Sequence, residues 1–128
     1  MKNLIVDATR DKIFLTLIVS ENIYTCSHEN SKINFEKLMI LINEFLKDNK
    51  TSLDEISAIY VNRGPGSFAG IRNSLSTIKA LFLTKKIDYY CFSFDDFKES
   101  EIIKYVDVPH LCRKYKIKKN LINPIYLS

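Results

Sequence analysis

Three strand-like segments open this chain, and helices and strands then alternate along it. The strand-like segments are short and rich in β-branched or alternating apolar residues. Two longer segments repeat apolar residues every three or four positions, which is typical of amphipathic helices. The predicted elements are residues 3–7, 12–19, 22–27, 33–48, 56–62, 66–84 and 89–94. The order β-β-β-α-β-α-β predicts an opening meander followed by parallel strands joined through right-handed crossovers.

Length and composition fit one α/β domain with a real core. The chain has 128 residues, of which 46% are hydrophobic and 27% are charged. Such a chain is long enough to bury a core of ordinary size. The predicted order is that of an RNase H-like half-domain of the actin-type ATPase superfamily. After residue 94 the pattern thins, and Pro109 is expected to break any element formed by residues 102–108.

The N-terminus carries no sign of a targeting or membrane segment. The apolar run Leu4–Val6 is only three residues long and ends at Asp7. The other apolar runs fall far short of the roughly 20 residues that a spanning helix needs. We therefore expect a cytoplasmic protein that does not enter a membrane.

The cysteines and histidines do not predict a metal site or a disulfide framework. The three cysteines are Cys26, Cys91 and Cys112, and they are widely spaced without a CxxC pair. His28 and His110 lie far apart in the sequence, and His110 has only Cys112 nearby as a second ligand. We expect no metal and no tightly bound cofactor.

Candidate chemistry is limited to two places. Asp7 ends the first strand, where it either contacts an anion or metal or caps the following turn. Gly64, Gly66 and Ser67 lie at the start of a predicted helix, where free N–H groups can bind an anion. Because glycine tolerates positive φ, the same residues also suit a tight turn, and the spacing favours the turn. No GxSxG, GxxxxGK[ST] or HExxH motif is present, so no enzyme class is indicated.

A basic cluster lies near the C-terminus, in a chain whose formal net charge is +4. Such a cluster either contacts a phosphate backbone or forms a solvated surface. The second interpretation is favoured, because most clusters of charged residues in proteins are solvated surfaces. The candidate RNA-contacting residues are Arg113, Lys114, Lys116, Lys118 and Lys119.

The segment 63–72 carries the most specific motif in the chain. It reads Arg-Gly-Pro-Gly-Ser-Phe-Ala-Gly-Ile-Arg between a predicted strand and a predicted helix. It resembles the signature R-G-P-G-S-F-T-G-L/I-R of the TsaB (YeaZ) family, with Ala69 in place of threonine. Further similarity lies at the opening hairpin, at Thr51–Ile56, and at Asn123–Leu127, which resembles the family's closing P-x-Y-L-R.

The chain also departs from this family's pattern. Ala8 follows Asp7 where the family has threonine, Asn34 stands where a histidine usually opens the first helix, and Ser128 replaces a closing arginine. The resemblance implies an RNase H-like N-terminal domain at 1–98. Residues 99–128 would then be the remnant of a truncated second lobe with a basic tail.

The resemblance implies a non-catalytic role beside a larger enzyme. TsaB-type proteins bind a TsaD-type transferase that threonylcarbamoylates the adenosine next to the anticodon in tRNAs reading codons that begin with A. A TsaE-type ATPase joins the complex, tRNA is reached through it, and nucleotide would bind only at a shared interface. The two long helices form the contact and also pair in homodimers. The residues carried over as partner-interface candidates are Ile40, Phe68, Ile71, Arg72 and Leu75. Burial in the core is an equally weighted alternative for Phe68, Ile71 and Leu75.

Two other functions compete with this one. The basic cluster at 113–119 could make the chain a free-standing RNA-binding module, which predicts partner-free binding that weakens steeply with salt. A protease role has been suspected for TsaB-like proteins, but no Ser-His-Asp or Ser-Lys arrangement is evident in the sequence.

Overall fold

The computed structural model describes residues 1–126 and contains a five-stranded sheet in the order β3-β2-β1-β4-β5. The strands are β1 (Lys2–Asp7), β2 (Lys12–Val19), β3 (Asn22–Glu29), β4 (Ala58–Asn62) and β5 (Asp88–Phe92). The first three strands pair antiparallel, and β1, β4 and β5 pair parallel. The predicted α/β class and element order are confirmed. Leu127 and Ser128, which entered the comparison with the family's closing motif, lie outside the described residues.

The parallel half of the sheet is buried on both faces. All five residues of β4 are buried, and the last four of β1 are buried too. Strands covered on both sides lose the apolar-polar alternation of a half-exposed strand, which explains the continuous apolar reading of these segments. By contrast, β3 lies at the edge of the sheet and is mostly exposed.

The helix predicted at 33–48 is two helices, α1 (Lys32–Glu36) and α2 (Leu38–Asp48). Lys37 separates them because its backbone leaves the helical region, with φ −100° and ψ 9°. The Ser31 side chain caps α1, and Asn34 donates a hydrogen bond to the Glu29 carbonyl at 2.7 Å. These bonds tie the short first helix to the end of β3, whereas α2 is held by its buried apolar face.

The helix after the signature segment, α3 (Phe68–Lys85), begins and ends with conventional caps. The Ser67 hydroxyl accepts a hydrogen bond from the Gly70 N–H at 3.2 Å. At the other end Lys86 adopts a left-handed conformation and its N–H donates to the Phe82 carbonyl. Serine is among the residues preferred as helix N-caps, so the sequence predicts a cap at Ser67, and the structure confirms it.

Two hydrophobic cores lie on opposite faces of the sheet. One is filled by the sheet and by α2 and α3, with α1 at its margin. The other is covered by the chain from Phe94 to Ile117, which includes the short helix α4 (Val108–Lys114). Phe97, Val108 and Leu111 of this segment pack against Ile5 and Phe92 of the sheet.

Pro109 corrects one expectation. It does not end an element but occupies the first turn of α4, directly after a 3₁₀ turn at Tyr105–Asp107. Proline is tolerated there because the first N–H groups of a helix have no intrahelical partner. The assignment of residues 99–128 to a second-lobe remnant stays a prediction. Within residues 1–126, no helix is both long enough and apolar enough to span a membrane.

Candidate functional site

The carboxyl end of β1 carries a buried carboxylate that the chain's own donors surround. Asp7 is 2% exposed. Its Oδ1 accepts hydrogen bonds from the Thr9 backbone N–H at 3.0 Å and the Thr9 hydroxyl at 2.7 Å. Its Oδ2 accepts from the Asn62 amide at 3.1 Å and from the Tyr105 hydroxyl at 2.6 Å. Each carboxylate oxygen therefore accepts two hydrogen bonds from the protein itself, which favours the turn-capping interpretation.

Tyr105 lies in the segment that covers the second core, and its hydroxyl donates the fourth hydrogen bond to Asp7. Burial raises the pKa of its hydroxyl, and the charge and hydrogen bond of Asp7 raise that pKa further. The hydroxyl therefore stays protonated at neutral pH and remains a donor to Asp7. Within the part of the chain that the structure describes, no group of three or more His, Cys, Asp and Glu side chains could hold a metal ion.

Gly64 is required by the backbone of the signature loop. Its φ of +115° is one that other residues rarely adopt, and a Cβ there would lie 2.1 Å from the Ile125 carbonyl oxygen. Its N–H donates to the Asn62 side-chain oxygen at 2.9 Å. The Gly64 N–H is therefore engaged within the fold and does not point to an open anion site.

Gly66 and Ser67 pack against the β1–β2 turn. A Cβ on Gly66 would lie 2.2 Å from the Thr9 carbonyl oxygen. The Ser67 N–H donates to that same oxygen at 2.8 Å. The four residues predicted to contact an anion or nucleotide do lie together; they are Asp7, Gly64, Gly66 and Ser67. Their contacts join the β1–β2 turn to the signature loop, and these contacts leave few N–H groups of the four residues free for a ligand.

Arg63 anchors the last described residues to the signature loop. Its guanidinium pairs with Asp96 at 2.6 Å and donates to the Asn123 carbonyl at 3.1 Å. The Arg63 carbonyl accepts from the Ile125 N–H at 2.7 Å. Residues 123–126 consequently run beside the loop that opens α3.

This arrangement creates an apolar groove along α3. The Tyr126 ring lies against the Phe68 ring with 4.7 Å between centroids. The groove has a volume of about 380 Å³. We call it the α3 groove, and its lining residues are Arg72, Leu75, Ser76, Lys79, Ala80, Leu83, Ile122 and Tyr126.

The five interface candidates divide into exposed and buried residues. Ile40 and Phe68 are 51% and 54% exposed, and Arg72 is exposed as well. Ile71 is fully buried on the side of α3 that packs on the sheet, so of its two interpretations the structure supports burial in the core. Leu75 is 3% exposed and contributes only the floor of the α3 groove.

A solved structure shares this fold. YeaZ from Pseudomonas aeruginosa superimposes with a TM-score of 0.66 at 18% sequence identity, over 72% of this chain and 43% of that one. A second solved structure, titled an uncharacterized protein with similarity to peptidase YeaZ from the same organism, superimposes equally well. At this identity the likeness concerns the fold alone.

Sequence comparison decides the family. A family model described as TsaD, tRNA N6-adenosine threonylcarbamoyltransferase, matches residues 28–93, just over half of the chain. The tRNA threonylcarbamoyladenosine biosynthesis protein TsaB of Buchnera aphidicola subsp. Baizongia pistaciae is 38% identical over 65 residues, or 44% of this chain. The TsaB protein of Buchnera aphidicola subsp. Schizaphis graminum is 28% identical over 90 residues, or 70% of this chain. The chain belongs to the TsaB (YeaZ) family. It spans 29% and 43% of the length of these two relatives.

The basic cluster of this TsaB family member is exposed throughout, but its members differ in their partners. Lys114 pairs with Glu99 at 2.8 Å, and Lys119 pairs with Asp88 at 3.7 Å. Among residues 1–126, the remaining three cations of the cluster form no ion pair; they are Arg113, Lys116 and Lys118.

Sequence reasoning missed several residues that build the site. Asn62 could have been found, because β1 and β4 are parallel neighbours and their carboxyl ends meet at one edge. Tyr105 gave no such signal, since it lies 98 positions from Asp7 in a segment without clear periodicity. Asp96, the ion-pair partner of Arg63, was read only as part of a polar stretch.

Proposed function

We propose that this chain is a non-catalytic partner of a TsaD-type transferase. In that role it supports threonylcarbamoylation of the adenosine next to the anticodon, in tRNAs that read codons beginning with A. Membership of the TsaB (YeaZ) family supports the pathway. The proposed assembly is cytoplasmic and includes a TsaE-type ATPase, with tRNA reached through the complex. Nucleotide would bind only at an interface shared between subunits.

One observation carries the docking role: the helical face of the sheet keeps large apolar side chains uncovered. Ile40 on α2 and Phe68 and Leu83 on α3 are each about half exposed or more. Ile122 and Tyr126 extend this surface along the α3 groove. The groove joins Leu83, Ile122 and Tyr126, and Phe68 packs on Tyr126, so these side chains form one exposed apolar surface. A surface of this kind marks a protein-protein interface. We choose a TsaD-type transferase as the partner because the chain belongs to the TsaB (YeaZ) family.

The Asp7 network supports the non-catalytic part of the proposal. A carboxylate that activates water or holds a metal needs an oxygen free for that ligand. Both Asp7 oxygens instead accept two internal hydrogen bonds each. The isolated chain is therefore expected not to hydrolyse ATP.

Co-expression with the TsaD-type protein of the same source, followed by size-exclusion chromatography with light scattering, tests the proposal. We expect a stable complex, and Ile40→Asp should abolish co-elution while circular dichroism shows an unchanged fold. Ile102→Asp is the matched control, because Ile102 is 92% exposed and lies in the segment over the opposite face of the sheet. The same chromatography reports whether the chain alone forms a homodimer through this surface.

Separate elution of the two proteins, even with the TsaE-type ATPase and nucleotide present, would contradict the docking role. Equal loss of binding in the Ile40 and Ile102 variants would show that the helical surface has no special part. Measurement of threonylcarbamoyladenosine in tRNA from cells that lack the chain then tests its place in the modification.

A further inference from the structure

The end of α4 presents cations that the fold does not neutralise. Of the five basic residues at 113–119, two are paired with acids, as described above. Arg113, Lys116 and Lys118 are exposed and form no ion pair among residues 1–126. We call these three residues the basic face.

A helix-ending turn brings the basic face together. Lys116 adopts a left-handed conformation with φ 55°, and its N–H donates to the Arg113 carbonyl at 3.2 Å. The Ile117 N–H donates to the Cys112 carbonyl at 2.9 Å, which completes a Schellman motif. The chain therefore reverses directly after Arg113, and the backbones of Arg113 and Lys116 are in contact.

The next residues direct two lysines to the same recess. Ile117 packs against the second core, so its neighbours on either side face solvent. Lys116 and Lys118 line one shallow recess of about 300 Å³, which Arg63 and Asn123 also line. The Asp96 carboxylate in that recess is already paired with Arg63. The recess thus offers two lysines whose charge no nearby acid offsets.

We propose that the basic face binds the phosphate backbone of RNA. Three unpaired cations lie within six residues at the end of α4, and contacts between such cations and backbone phosphates need no base recognition. The choice of RNA among polyanions rests on the proposed function, which gives the complex a tRNA substrate. A helix dipole stabilises cations in the last turn of the helix. This effect explains the presence of Arg113 but not of Lys116 and Lys118, which lie beyond the end of α4.

An anionic membrane fits this surface less well than RNA does. Insertion of a helix into a membrane interface requires an apolar side that is free to enter the lipid. α4 has only seven residues, and its apolar side chains Val108, Leu111 and Cys112 are buried in the core.

Fluorescence anisotropy of the full chain with a labelled tRNA transcript from the same source, between 50 and 200 mM salt, tests the inference. With three phosphate contacts, the logarithm of affinity should fall against the logarithm of salt with a slope of about −2 to −3. That slope is about a 16- to 64-fold loss of affinity over this fourfold range of salt. The variant Arg113→Gln, Lys116→Gln, Lys118→Gln should bind about tenfold or more weakly at 50 mM salt, with a slope nearer zero.

The matched control changes the same number of charges on the other side of the sheet. Lys32, Lys47 and Lys50 are exposed on or directly after the helices over the first core. Their triple glutamine variant lowers the formal net charge from +4 to +1, just as the test variant does. It should bind tRNA within about threefold of the unchanged chain, because phosphate contacts act at short range in salt.

The inference is overturned if the unchanged chain fails to bind tRNA at 50 mM salt, or if both triple variants lose affinity equally. Stronger binding to phosphatidylserine vesicles or to polyglutamate than to tRNA would also overturn it. These measurements use the isolated chain, so their outcome is separate from co-elution with the transferase. Co-elution without tRNA binding would contradict only the RNA-binding inference. Binding of tRNA without co-elution would contradict only the docking role.

Discussion

The hydroxyl of Tyr105 joins the segment after β5 to the sheet, and its removal tests that junction. Tyr105→Phe deletes only the hydroxyl that donates to Asp7 at 2.6 Å. The ring should keep its packing against Phe14 and Phe94, whose centroids lie 6.2 and 5.9 Å away. A hydrogen bond to a charged partner contributes about 1.5–3 kcal/mol to the free energy of unfolding. The buried Asp7 carboxylate gains no substitute donor from the phenylalanine.

That loss should be visible in thermal unfolding. For a domain of this size, 1.5–3 kcal/mol corresponds to a fall in Tm of roughly 5–10 °C. The assay is circular dichroism with chemical denaturation as a second measure of the free energy of unfolding. Tyr115→Phe is the matched control, because the Tyr115 hydroxyl donates to Glu99 at the surface, and its Tm should stay near that of the unchanged chain. Equal effects of the two variants would refute the idea that the Asp7 network locks the second face of the sheet.

Two further predictions concern the loop and the thiols. Gly64→Ala should lower the free energy of unfolding by more than about 2 kcal/mol, because the positive φ is strained for alanine and its Cβ would strike the Ile125 carbonyl; unchanged denaturation would refute this. Burial raises the pKa of Cys26 and of Cys91 to about 11, and that of Cys112 to about 12. As pH rises, these thiols lose their protons at lower pH in the unfolded chain than in the folded one. The free energy of unfolding should therefore fall as pH rises from about 9 through 11. Replacing Cys112 with alanine should make that fall less steep. A fall of the same steepness in that variant would assign the effect to other groups.

The fold was predictable because its elements carry strong local signals. The seven predicted strands and helices agree with the structure within about two residues except at Lys37, where one periodic segment became two helices. The short helix α4 was not predicted, because Pro109 was expected to break an element there. Apolar periodicity does not report such a break, because the residues on both sides keep their apolar spacing. In the sequence Ile40 lies off the apolar stripe of its helix, which is formed by Phe35, Leu38, Met39, Ile42, Phe45 and Leu46. Ile40 is exposed in the structure, as that position predicts.

The site was less predictable because it depends on close approach between distant segments. The sequence of α3 carries small residues off its apolar stripe, among them Gly70 and Ser74, and small residues there predict close approach of another helix. Gly70 and Ser74 instead are buried on the sheet side, where a Cβ on Gly70 would lie 1.9 Å from the Ala8 carbonyl oxygen. Local pattern shows that a residue is small but not which neighbour needs the space. Tyr105 illustrates the same limit, since only the folded chain brings it to Asp7.

The signature loop connects the fold to the proposed docking surface. Its arginine and glycines hold the turn after β1 and the segment at 123–126, as the contacts of Arg63, Gly64 and Gly66 indicate. That segment places Tyr126 against Phe68 and so forms one wall of the α3 groove. A motif that has the composition of an anion-binding loop therefore acts here by shaping an apolar surface. Changes in the loop are accordingly expected to weaken partner binding even though the loop itself contributes little to the exposed face.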